Sequence, residues 1–73
     1  MISYRKLWML LSMRGYTKRD IISLAGISES TYQKLVRGEA VRMDVLAKIC
    51  DALSVDIGDV CSLRGYIGAE QQA

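Results

Sequence analysis

Seventy-three residues, half of them apolar, suffice for one small core, and the apolar share is too high for a disordered chain. With no His, no CxxC pair and only two cysteines, Cys50 and Cys61, the chain lacks both a zinc ligand set and a disulfide framework. The net charge of +2 is split: residues 1–42 carry eight Lys and Arg against three acids, a surplus of +5, and residues 43–73 carry two against five, a deficit of −3. Such asymmetry suggests a polyanion on one face.

Further exclusions follow from the same totals. No apolar run approaches the ~18 residues that cross a bilayer, and the opening residues do not read as a secretory signal. The expected compartment is therefore the cytoplasm, with both thiols free and reduced. No general base or activated nucleophile stands out, so an enzyme is not expected, and no cofactor or small-molecule ligand is implied.

In chain order, the first predicted helix runs from about Ser3 to Met13, with Ser3 as its cap. Tyr4, Leu7, Trp8 and Leu11 repeat at i, i+3, i+4 and i+7, one apolar stripe in which Trp8 is read as core. Gly15 can take the left-handed conformation that stops the helix. The second helix spans about Lys18 to Ala25, with Thr17 as cap and Asp20 completing a capping box. Lys18 and Arg19 put positive charge at its N-terminus, which opposes the helix dipole unless a phosphate binds there.

After a turn on Gly26, Ser28 caps a third helix, about Glu29 to Arg37, with Tyr32, Leu35 and Val36 expected inside. That leaves Glu29, Ser30, Gln33, Lys34 and Arg37 outward, a mixture of acceptors, amides and cations able to read base edges. A helix, a tight glycine turn and a second helix is the layout of a helix-turn-helix, whose second helix can enter the DNA major groove.

Gly38 ends the third helix, and a fourth is expected from Met43 to Leu53, with Val45, Leu46, Ile49, Cys50 and Leu53 apolar at helical spacing. Arg42 stands where Ser or Thr would cap it, so that start is weakly capped. Asp56 is expected to cap a fifth helix, Ile57 to about Ser62, burying Ile57 and Val60. Residues 1–63 are read as the domain and residues 64–73 as a fraying tail, in which Tyr66 and Ile67, with Leu63, offer an apolar patch to a partner subunit.

With the turn placed at AGIS-ESTYQKLVRG, and with VLAKICDALSVDIGDV following it, residues 1–63 resemble the lambda repressor and Cro-like regulators of the XRE family. Thr17, Gly26, Ile27, Ser28, Leu35 and Gly38 carry the match, and the opening ISYRKLWMLLSMRGYTKRD looks like the small single-domain branch. The resemblance implies an all-α, compact five-helix bundle and a sequence-specific DNA-binding transcriptional regulator, a repressor acting as a homodimer on double-stranded DNA. It places Glu29, Ser30 and Lys34, with Gln33 beside them, at base-reading positions. Thr17, Lys18, Thr31, Arg37 and Arg42 fall at phosphate positions, with Arg19 and Ser28 grouped alongside. Three residues depart from the family pattern: Lys18 replaces a frequent Gln, Ile22 a small Ala, and Tyr32 an apolar Val or Ile. The competing expectation is a protein-interaction module, such as the antitoxin partner of a toxin or a regulator that sequesters another protein.

Overall fold

The computed structural model describes residues 2–63; the expected tail, including Tyr66 and Ile67, lies outside them. Four α-helices form in order: α1 (Arg5–Arg14), α2 (Lys18–Ala25), α3 (Glu29–Val36) and α4 (Met43–Leu53), followed by one 3-10 turn, Ile57–Asp59. The bounds of α2 and α4 fall where they were expected. Gly15, Gly26 and Gly38 all sit at positive φ, between 68° and 74°, the left-handed region that lets each helix end sharply. No helix among the described residues is long and apolar enough to cross a membrane.

The expected fifth helix is only that 3-10 turn. Asp56 does cap it, in a capping box with Asp59, but the chain then leaves the helical path to meet the N-terminus. The Ser3 N–H donates to the Ser62 carbonyl at 2.8 Å, and the Ser62 N–H returns a bond to the Ser3 carbonyl at 3.0 Å. Val60 offers its carbonyl to the Leu7 N–H at 3.1 Å. The backbone groups a longer helix would need are thus engaged by the other end of the chain.

The same clip corrects the start of α1. Ser3 lies in the isolated antiparallel bridge with Ser62, so Tyr4 takes the N-cap position without a side-chain cap. Val60 supplies from outside the acceptor that a capping side chain normally provides to the first turn. At the other end of α1, Arg14 donates to the Leu53 carbonyl, placing positive charge on the negative end of α4. Lys6 donates to the Gly58 carbonyl at 3.0 Å. Helix α1 is therefore laced to the C-terminal part of the fold at three places.

Apolar side chains from every element meet in one core: Tyr4, Leu7 and Leu11, then Ile21, Ala25 and Ile27, then Leu35, and finally Leu46, Ile49, Leu53 and Val60. Helix α2 packs on α4, and α4 on the 3-10 turn. Tyr4 is buried, and its hydroxyl donates to the Glu39 carbonyl at 2.7 Å; burial pushes its pKa up. Two expected core residues are displaced outward. Val36 is 54% exposed and Ile57 37% exposed, while Trp8 is half-buried against the core's edge. In α3 the inner line is Leu35 flanked by Thr31 and Tyr32, and Val36 lies 100° round from Leu35. Ile57 faces outward because the turn, having no second helical revolution, buries only Val60.

Cys50 and Cys61 are free and half-buried, and burial raises both thiol pKa values. The stability test of this core is direct. Ile49→Ala, at a site with no exposure, is expected to cost ~2–5 kcal/mol, whereas Met13→Ala, at 81% exposure, should change stability by no more than ~0.5 kcal/mol. Urea unfolding followed by circular dichroism measures both, and comparable losses would mean that the core is misplaced.

Candidate nucleic-acid interface

Local chemistry builds the junction between α2 and α3. The Asp20 N–H donates to Thr17 Oγ1 at 3.2 Å and the Thr17 N–H to Asp20 Oδ2 at 2.8 Å, closing the expected capping box. Gly26, at φ 68°, turns the chain as its N–H donates to the Ile22 carbonyl at 3.0 Å. Ser28 Oγ then accepts the Thr31 N–H at 3.1 Å, starting α3 where the sequence predicts.

The expected base-reading residues share this helix but differ in setting. Glu29, Ser30 and Lys34 are exposed, and Gln33 is half-buried. Ser30 Oγ lies 3.1 Å from Ser28 Oγ, which also donates to Thr31 Oγ1 at 2.9 Å. The three hydroxyls at the start of α3 form a local network.

Three of the expected phosphate cations are held by acids. Lys18 pairs with Glu29 across the α2–α3 junction, Arg37 Nε with Glu39 Oε2 at 2.6 Å, and Arg42 Nε with Asp44 Oδ1 at 3.2 Å. Among the described residues Arg19 and Lys34 make no ion pair. The Lys18 hydrogen bond holds the Glu29 carboxyl below its ordinary range, assisted by the charge of Lys18, by Gln33 and by Arg19. Arg37, first by its hydrogen bond, does the same for Glu39. Thr17, Ser28 and Arg19 are exposed at the two helix starts, Thr31 is half-buried on α3, and Arg42 is exposed at the start of α4.

Thr17, Lys18, Arg19, Ile22 and Glu29 line a groove of about 470 Å³ between the starts of α2 and α3. Ile22 is half-buried and packs on the core from that wall. Behind it, Tyr32 turns inward, its ring centroid 5.8 Å from that of Trp8 with the planes 69° apart. The Lys18 ammonium sits 5.5 Å from the Tyr32 centroid on the other side of the junction. Neither aromatic was among the expected site residues. The signal was present in the two departures at positions 18 and 32, but nothing in their spacing says that the side chains touch.

A family-wide sequence model, the Cro/C1-type HTH DNA-binding domain, matches residues 6–64. The chain belongs to that family. Among solved structures, the chain is similar to one described as "Crystal structure of transcriptional regulator VanUg, Form II", 41% identical, with a TM-score of 0.80, covering 84% of this chain and 81% of that one. No curated protein matches. The capped helix pair and the family assignment thus agree on a DNA-binding domain whose helix-turn-helix is α2 and α3.

The Lys18–Glu29 pair gives a pH test. A carboxyl whose pKa is lowered in the folded chain contributes stability that is present above its unfolded pKa and lost as pH falls through the folded one. Titrating the Glu29 side chain by NMR should find it below the ordinary glutamate range, and Lys18→Met should return it upward. An unchanged Glu29 titration in that variant would show that the pair does not form in solution.

Proposed function

We propose that this chain is a non-enzymatic transcriptional regulator of the cytoplasm, with residues 1–63 as its domain and α3 inserted in the major groove of double-stranded DNA. The observation carrying this reading is the outward edge of α3, where Glu29, Ser30, Gln33 and Lys34 follow directly after a capped, glycine-turned junction. In this arrangement those four face base edges: Lys34 suits guanine acceptors, Gln33 adenine, and Glu29 the cytosine amino group. Thr17, Lys18, Arg19, Ser28, Thr31, Arg37 and Arg42 flank them on the phosphate side. Phosphate contacts supply most of the affinity and base contacts the discrimination. The VanUg structure, described as that of a transcriptional regulator, supports the same role. Repression is the proposed mode, since occupying an operator is enough to keep other proteins off it.

A homodimer fits this reading. An apolar groove of about 400 Å³ runs along Val41, Met43, Leu46, Ile57 and Leu63, with Met43 and Leu63 largely exposed, and a second copy would cover it. Two recognition helices would then read half-sites about 34 Å apart.

Selection from a random duplex pool, followed by gel shifts across a salt series, tests the reading. Lys34→Ala should weaken binding to the selected site by ~1–3 kcal/mol and leave non-specific binding nearly unchanged. Arg19→Ala should weaken both equally and lower the salt slope by about one. An equal loss in Lys34→Ala would move Lys34 to the phosphate side. Absence of duplex binding even at low salt would overturn the proposal and favour a protein-interaction module.

A further inference from the structure

Two residues that depart from the family pattern, Lys18 and Tyr32, meet in this fold. The Lys18 ammonium lies 5.5 Å from the Tyr32 ring centroid, inside the ~6 Å range of a cation–π contact, and the same ammonium pairs with Glu29 Oε2. Tyr32 in turn rests on Trp8 of α1, centroids 5.8 Å apart and planes 69° apart, an edge-to-face arrangement of the favoured kind. From this juxtaposition the geometry points to Lys18, Tyr32 and Trp8 as positioning residues: together they hold the Glu29 carboxylate in its base-reading orientation. The inference rests on the proposed DNA-reading role of α3.

Its physical basis is ordering. An isolated surface ion pair contributes little, because two long side chains must give up rotamers to make it. Here the lysine ammonium is held twice, by a half-buried ring and by the carboxylate, and the ring is itself backed by a tryptophan from another helix. Glu29 occupies the first position of α3, where a floppy carboxylate would discriminate poorly. Lys18 binds one of its oxygens, leaving the other able to accept from a base amino group. The lysine charge also offsets the repulsion that a glutamate meets between phosphates. Gln33, one turn on, also favours the charged form of the carboxylate.

The test uses the full 73-residue chain and duplex selected from a random pool by the wild-type protein. Glu29→Ala first identifies the base pair that Glu29 reads, as the position whose preference relaxes. Lys18→Met and Tyr32→Leu are expected to relax the preference at that same base pair by about tenfold while other positions keep theirs. Tyr32→Phe, which retains the ring, should retain the preference. Because Tyr32→Leu also removes a core contact, Lys18→Met at an exposed position carries the decision alone if the leucine variant fails to fold. Should Lys18→Met keep the preference at that base pair, whatever it does to the salt slope, Lys18 is at most a phosphate contact and the positioning role is overturned, with Glu29 still a reader. Should Glu29→Ala relax no base pair, base reading by Glu29 and the positioning role are both lost.

Discussion

Neither helix of the turn is long enough to hold itself together. Helices α2 and α3 have eight residues each, whereas an isolated helix needs ~12–15 to be even marginal in water. Their existence depends on what they bury and on how their ends are satisfied. Ile21, Ala25, Ile27 and Leu35 bind the pair to a core completed by α1 and α4, and the Thr17, Ser28 and left-handed Gly26 contacts satisfy backbone groups at the junction. The packing of Val60 and the Ser3–Ser62 bridge matter for the same reason: they draw the two ends of the described chain together and keep α1 and α4 against the pair.

This dependence shapes the charged face. The basic half of the chain contains three acids, and each is engaged: Asp20 in the capping box, Glu29 with Lys18 and Glu39 with Arg37. Little stray negative charge is therefore left where a polyanion would approach. The engaged acids reduce the number of cations available at long range, but they hold Lys18 and Arg37 close to the ends of α3. A face of this kind trades some electrostatic steering for order at the residues proposed to read bases, since salt-screened attraction falls away beyond a Debye length of ~8–10 Å while a held side chain keeps its geometry.

The aromatic pair behind α3 connects core and face. Tyr32 is at once a wall of the core, packed beside Leu35, and the platform beneath Lys18. Polar groups gain precision when their neighbours are locked by packing, and here the lock comes from α1, an element with no expected contact to DNA. If the proposed role of α3 holds, substitutions in that helix would reach its outer face without touching it.

Several features were determined by the sequence alone. The limits of α2 and α4, the capping box, the Ser28 cap and the three left-handed glycines all arise from interactions within four residues, so they are visible in the order of side chains. The helix-turn-helix and the family resemblance were legible for that reason, as were Glu29, Ser30, Lys34 and Arg37 on the outer side of α3, though not the half-burial of Gln33. Only the tertiary structure decided the rest. Whether the Asp56 cap starts a helix or a single turn depended on Ser62 meeting Ser3, fifty-nine positions away. The exposure of Val36 and Ile57 depended on which edge of each element faced the core. The linkage of Lys18 to both Glu29 and Tyr32 depended on the crossing of two helices, a geometry set by burial between distant segments that no local spacing encodes.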